Sequence, residues 1–419
     1  MGLQPHETPP TRPSKNQVRG EAALKHRRVR NRSSAAPFTR TKVTTSRLTG
    51  SDGFSASASA IWSERRSGNR RRAGRVVSAR VLSGSMAVTY VLGAGASRDI
   101  GYPLASEMGE RLFDHMLASE DPISRGSAEY LIDRFGKSTD LEDLITELLQ
   151  QTDELKESPN PEDRAERMRL GNRRGRMVDC LRLWFREIHT RPAQLYAEFS
   201  ERVIKSGDVV ITFNYDDSLE RELRLAGKWD AARGYGFPLG TSDTPSDVLI
   251  LKLHGSVNWL VSLFGGATGG TFLVDPPSSM GNFPVIHEAD LAFLGYTDFS
   301  GHTYRSGSAI PCLILPGRRK QFFYDTSFGR EFSAFWDHLW RQAEASLRNC
   351  ERIVVCGYSL LPVDERARDL LLNRPPKNTP IEIIAGSQTE RIVGDFRTAG
   401  FADVRGFQGG YFRDWLRAK

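Results

Sequence analysis

Three polar residues, Asn214, Asp216 and His254, sit where a short apolar run gives way to a turn. Val209, Val210 and Ile211 precede Thr212-Phe213-Asn214-Tyr215-Asp216, and Leu249, Ile250 and Leu251 precede Lys252-Leu253-His254-Gly255-Ser256. Runs of that length and β-favouring composition read as buried strands. In an open α/β sheet the ligand crevice lies beyond the carboxyl ends of such strands. Histidine is the side chain best suited to take a proton near neutral pH. An asparagine beside it can orient a water or a hydroxyl, and a carboxylate can fix the local hydrogen-bond network. Singly, each has an ordinary explanation, because Asn and Asp form turns and cap helices and a lone strand-end His is more often structural.

Two further stretches share the pattern. Val88-Thr89-Tyr90-Val91-Leu92 runs into Gly93-Ala94-Gly95-Ala96-Ser97, a strand followed by a glycine-rich turn. Glycines there let backbone N–H groups turn outward and let a phosphate approach, and a helix starting near Leu104 would aim its positive end at the same spot. The stretch therefore reads as a site for a diphosphate, as in a dinucleotide. It departs from the common dinucleotide fingerprint, with Arg98 in place of the third glycine and no acidic residue closing a second strand near residue 115. Arg352 to Cys356 reads as another buried strand, ending in Gly357-Tyr358-Ser359, with Asp364 near the cap of the next helix. Ser359 can hydrogen-bond a phosphate or ribose. With a last strand at Ile381–Ala385, five strands end in Gly, Ser, Asn or His. That repetition is what a nucleotide crevice in a doubly wound parallel sheet requires.

The elements between these strands are mostly helical by pattern. Leu104 to Leu117 reads as the helix after the glycine turn. Residues 127–156 carry a Leu141, Leu144, Ile145, Leu148, Leu149 stripe, and residues 157–176 read as a solvated connection or a charged helix face. Met177–Ile188, Pro192–Lys205, a stretch beginning with Leu219, Leu223 and Leu225, and residues 326–349 read as further helices, and Ile310–Leu315 reads as a strand. Residues 263–308, rich in Gly, Pro, Ser and aromatics, read as an irregular excursion, a lid or small subdomain.

The chain has 419 residues and a net charge of +7, but that charge averages two unlike parts. Residues 1–85 hold 18 Lys and Arg against 4 Asp and Glu, and the remainder holds 40 against 47. The first part reads as a disordered basic leader, and the globular part, 86–419, is mildly acidic. Such a leader fits an organelle transit peptide, a nucleic-acid-binding tail or an over-extended start ahead of Met86. The composition break just before the first strand favours Met86. No apolar run is long enough to span a membrane. The four cysteines form no Cys-x-x-Cys pair, so neither a zinc site nor a disulfide framework is expected, and the expected compartment is the cytoplasm.

GAGAS at 93–97, TFNYD at 212–216, KLHGS at 252–256 and GYS at 357–359, in that order, resemble the sirtuin-like domains. The match is to the bacterial NAD-degrading branch active in anti-phage defence, whose helical stretch DLEDLITELL at 140–149 fits as well. The resemblance covers about residues 88–387 and implies a Rossmann-like α/β fold, with a helical insertion at about 104–205. It implies that Gly93, Ala94, Gly95 and Ser97 line the diphosphate site and that Asn214 and Asp216 sit by the nicotinamide ribose. His254 is then the catalytic base, Gly357, Tyr358 and Ser359 hold the adenosine side, and Thr212, Gly255 and Ser256 complete the NAD site. The zinc-binding cysteines of deacylating sirtuins are missing. Their Asp-Phe-Arg run is here Leu104-Ala105-Ser106, so NAD-dependent protein deacylation is disfavoured.

The implied activity is NAD glycohydrolysis without a metal, NAD being the substrate. A non-catalytic NAD or ADP-ribose sensor is the other alternative, and the intact Asn214 and His254 speak against it. The family implies control by a homo-oligomer or an activating protein partner, with nucleic acid involved only indirectly.

Overall fold

A computed structural model describes residues 87–237, 246–262, 271–274, 309–315 and 330–419. The leader up to residue 86, and most of the 263–308 excursion, lie outside the described residues.

Six strands form one sheet in the order β3-β2-β1-β7-β8-β9. They are β1 (Val88–Leu92), β2 (Val209–Thr212), β3 (Leu249–Lys252), β7 (Arg352–Cys356), β8 (Ile381–Ile384) and β9 (Val404–Gly406). Every pairing between them is parallel. The chain starts at the centre, steps outward through β2 and β3, then returns to the other side of β1 with β7. The doubly wound parallel sheet expected from the strand ends is therefore present, with its switch point between β1 and β7.

The sequence explains why these strands are central. Thr89 to Leu92 are all buried, as are Ile353 to Cys356. A run apolar at every position suits a strand covered on both faces, which parallel sheets require. Tyr90 packs edge-on against Phe199 at 5.1 Å, and Phe199 against Phe412. Thr89, its neighbour on the opposite face, reaches the Ser346 carbonyl. One face is thus covered by the turn at Phe199–Val203 and the terminal helix Phe412–Arg417, the other by Arg330–Asn349.

The long helices between β1 and β2 are α1 (Ala105–Ala118), α2 (Pro122–Phe135), α3 (Leu141–Glu154) and α4 (Pro161–His189), and the expected Pro192–Lys205 helix is shorter, Gln194–Glu198 continued by a wider turn at Phe199–Val203. Asp121, Asp140 and Asn160 cap α2, α3 and α4 by accepting from the first backbone N–H groups. The leucine stripe of α3 is buried throughout. Each such side chain contributes on the order of 2 kcal/mol against the unfolded chain. The region expected at 127–156 is two helices, because Gly136 ends the first and Asp140 starts the second. The charged stretch after Ser158 is the exposed first half of the single helix α4, and Met177–Ile188 is its buried second half.

Three features differ from the expectation. The glycine turn is itself helical, since Ala94–Ser97 already forms a turn that passes into a tighter one at Arg98–Ile100. A sixth parallel strand, β9, is only three residues long and carries Arg405 at its centre, so its apolar pattern is too short to read. The chain after His254 forms β4 (Gly255–Ser262), which pairs antiparallel with β5 (Thr271–Val274) and β6 (Ala309–Leu313) in a second sheet.

The glycines at the switch point are there for backbone contact. Gly357 has φ +63°, and a Cβ on it would lie 2.2 Å from the Ala96 nitrogen. A Cβ on Gly93 would lie 2.5 Å from the Tyr358 Cα. Gly357→Ala should therefore cost at least about 3 kcal/mol and lower the melting temperature sharply. Gly171, inside α4, has nothing within 4 Å of the same position. Gly171→Ala should instead stabilise by about 0.5–1 kcal/mol. Thermal melts of the two variants check both signs.

Candidate functional site

The turns after β1, β2, β3 and β7 gather at the carboxyl edge of the sheet. Two backbone bonds join the β1 and β7 turns: Gly93 N–H donates to the Cys356 carbonyl at 3.0 Å, and Gly95 N–H to Gly357 at 2.9 Å. These amides were expected to face outward toward a phosphate. They face the β7 turn instead, and the glycines serve the close approach of two loops. Gly93 is buried, while Ala94, Gly95 and Gly357 are half-buried at the rim.

Asn214 follows β2 and is half-buried. Its Nδ2 donates to the Gly93 carbonyl at 3.0 Å and to Ser97 Oγ at 2.9 Å, and its backbone N–H donates to Thr212 Oγ1. With the amide nitrogen so engaged, Oδ1 is the atom suited to accept from a water or hydroxyl. Thr212 is buried and serves the turn.

Ser97 is the hub beneath Asn214. Its hydroxyl donates to Asp216 Oδ2 at 2.7 Å. That uses its single hydrogen, so the Tyr196 phenol, also 2.7 Å away, must be the donor to Ser97. Burial and then the Asp216 charge push the Tyr196 phenol well above its usual range, which keeps that proton in place. Burial also raises the Asp216 carboxyl, and Lys252 opposes the shift. Asp216 is 5% exposed, as His254 is, and its Oδ2 holds the Ser97 hydroxyl.

Lys252, the last residue of β3, is completely buried. Its Nζ donates to the Asp216 backbone carbonyl and to Glu220 Oε1, the latter at 2.7 Å. Glu220, on α5 (Ser218–Leu225), also accepts from Tyr235, whose phenol accepts from Asn258. Burial raises the Glu220 carboxyl and Lys252 counters it. Sequence reasoning missed this pair, although a lysine in the apolar run Leu249-Ile250-Leu251-Lys252-Leu253 was a visible signal.

His254 lies in the turn between β3 and β4 and is 5% exposed. Its carbonyl accepts from Ile314 N–H at 2.9 Å, which fixes the turn. The imidazole meets the edge of Phe213 at 5.0 Å, and Phe213 stacks on Tyr358 at 4.3 Å. Asp364 Oδ2 lies 3.6 Å from His254 Nε2. Gly255 and Ser256 turn inward: Gly255 abuts the Cys312 carbonyl, and the Ser256 hydroxyl donates to the Tyr215 carbonyl. Ser359 is half-buried, its carbonyl held by Arg391. The edge therefore brings together Asn214, Ser97, His254, Tyr358 and the glycine turns, and adds Tyr196, Phe213 and Asp364, which the sequence reading did not single out as site residues. Phe213 is an apolar residue in a polar strand end. Two cavities, of about 460 and 280 Å³, lie elsewhere, one by Arg352 and Lys419 and the other by His115 and Trp184.

Among the described residues no cluster of His, Cys, Asp and Glu is arranged to hold a metal ion, and no helix is long and apolar enough to cross a membrane.

No protein-family model matches the chain, and no curated protein does. Among solved structures it is similar to Sir2 homologues. A triple mutant in complex with 2'-O-acetyl-ADP-ribose is 14% identical, with 78% of this chain and 89% of the other covered and a TM-score of 0.36. A Sir2 homologue–NAD complex is 15% identical, with 78% and 87% covered and a TM-score of 0.35. A propionylated-peptide complex is 15% identical, with 80% and 92% covered and a TM-score of 0.31.

The buried pair makes a prediction about stability. Lys252→Met removes one partner and should cost about 3–5 kcal/mol at neutral pH, and adding Glu220→Gln should recover most of that loss. In the single variant the Glu220 carboxyl is raised further. A raised carboxyl contributes stability below its unfolded value and loses it as pH rises through the folded value. The deficit of Lys252→Met should therefore grow from acid toward neutral pH, as read from denaturant melts across that range.

Proposed function

We propose that the chain cleaves NAD to nicotinamide and ADP-ribose. The observation that carries this reading is Asn214, fixed by Gly93 and Ser97 at the edge of the switch point, in the same row of strand ends as the buried His254. The diphosphate would lie over Gly93, Ala94 and Gly95, and the adenosine side would meet Gly357 and Ser359.

The chemistry needs few groups. The glycosidic bond from the ribose C1' to the pyridinium nitrogen breaks with its electron pair going to nitrogen, so nicotinamide leaves neutral and needs no acid. The ribose passes through an oxocarbenium-like state, as in sugar hydrolysis. Asn214 Oδ1 orients the attacking water. The water oxygen bonds to C1', and its proton passes to His254. The Tyr196–Ser97–Asp216 chain holds Asn214 in register, and no step draws on a metal.

Purified full-length protein incubated with NAD should release nicotinamide without an acylated peptide. His254→Ala and Asn214→Ala should each lower that rate by about 10²-fold or more while melting near the wild type. A variant that folds and keeps full turnover removes its residue from the mechanism.

Control belongs to the same reading. A free-running NADase would drain its own cell, so the resting form is slow and is activated by a second copy of the chain or by another protein. The helices α1–α4 stand between the first two strands of the site, outside the chemistry proposed for it, and are the contact surface this model favours. Assembly can bias a site only through contacts that differ between its two states. Turnover per molecule should rise across a dilution series or on adding the partner, and full activity of a proven monomer at every dilution overturns the model.

A further inference from the structure

Asp364 occupies the N-cap position of the helix Glu365–Asn373, yet its side chain makes no capping bond there. An aspartate in that place ordinarily accepts from the helix's own N–H groups. Here the carboxylate is turned to other partners. Its Oδ2 accepts from the Tyr358 phenol at 3.1 Å and lies 3.6 Å from His254 Nε2. Both side chains of the His–Asp pair are only 7% exposed. The imidazole rests edge-on against Phe213, and Phe213 stacks on Tyr358. A closed ring results, in which Phe213, His254 and Tyr358 come from the turns after β2, β3 and β7, and Asp364 from the N-cap of the next helix.

We infer that Asp364 is a positioning residue for His254, holding the imidazole in place and stabilising the imidazolium formed when His254 accepts a proton. This rests on the reading of His254 as the proton acceptor in NAD cleavage. An imidazole buried against the Phe213 ring is poorly solvated, and burial alone disfavours its charged form. A carboxylate at this distance acts in the opposite sense. The Tyr358 hydrogen bond fixes the carboxylate's orientation and favours its ionised form. Among the described residues, Tyr215 and, from α3, Glu142 also lie on this side: burial, then the Asp364 and Glu142 charges, push the Tyr215 phenol above its usual range. Tyr215 therefore stays neutral and supplies no competing charge.

Asp364→Asn keeps the size and the acceptor for Tyr358 but removes the charge. The test is a titration of the His254 imidazole by NMR in the ligand-free full chain labelled at histidine, with His254→Ala to assign the resonance. The His254 midpoint should fall by about one pH unit or more in Asp364→Asn. In nicotinamide release, kcat should fall by about 10-fold or more with little change in KM, the basic limb of the pH profile should move with the imidazole, and Asp364→Glu should restore part of the rate. Equal His254 midpoints in wild type and Asp364→Asn overturn the proposal, as does an unchanged kcat and pH profile. If the Asn variant does not fold, the wild type decides. A second inflection of the His254 resonance where Asp364 takes up its proton supports the pairing, and its absence overturns it. Because the titration needs no substrate, a wild type that releases no nicotinamide refutes the NAD reading and leaves the His–Asp pairing to be settled by the titration.

Discussion

The buried charge of Lys252 is the constraint around which the polar side of this fold is arranged. Desolvating an ammonium costs several kcal/mol, so a lysine with no exposed surface demands partners on every side that packs against it. Glu220 supplies the opposite charge and the Asp216 carbonyl supplies an acceptor. Those two partners fix where α5 begins relative to β3. Asp216 then has one defined place from which to hold Ser97, and Ser97 has one defined place from which to hold Asn214. A single buried lysine is thus connected, through Asp216 and Ser97, to the Asn214 side chain at the carboxyl edge of the sheet.

A second constraint meets the first at the switch point. β1 and β7 are neighbours, although more than two hundred and fifty residues separate them, and their turns touch backbone to backbone. Such contact is possible only without side chains, which is why glycines stand at 93, 95 and 357. The same residues had a second explanation in sequence, an approach route for phosphate. The amides of Gly93 and Gly95 decide for loop contact at those two atoms, since both donate to the β7 turn. The rim formed by Ala94, Gly95 and Gly357 still shapes the crevice, but as a rigid floor.

The parallel sheet was legible because buried parallel strands are apolar at nearly every position and each here ends abruptly in small or polar residues. Val209 to Thr212 and Leu249 to Lys252 are plain examples. β9 escaped because three residues with a central arginine carry no period. The second sheet escaped because β4 follows His254 directly, so two apolar runs separated only by His254-Gly255-Ser256 hide a change from a parallel to an antiparallel partner. Among the site residues, Asn214 and His254 stood out by type and place. Tyr196 could not, since it lies in the helical stretch Pro192–Lys205, far from the strand ends in sequence, and only the folded chain brings its phenol to Ser97. Asp364 read as a cap because sequence shows the position of an aspartate but not the direction of its carboxylate.

Two aspartates near the crevice are set in opposite surroundings, and this divides their roles. Asp216 is enclosed with a lysine ammonium nearby and a serine hydroxyl donating to it, so its charge is already answered from within the protein. It has little left to give a reacting group. Asp364 faces a tyrosine hydroxyl on one side and a histidine on the other, and the histidine is the one partner of the two that can change charge near neutral pH. A carboxylate held by a lysine and a serine inside the protein organises structure, whereas one beside a histidine is coupled to that side chain's proton. On the proposed reading, the polar network under Asn214 serves as scaffold and the His254–Asp364 pair is where a proton is taken up.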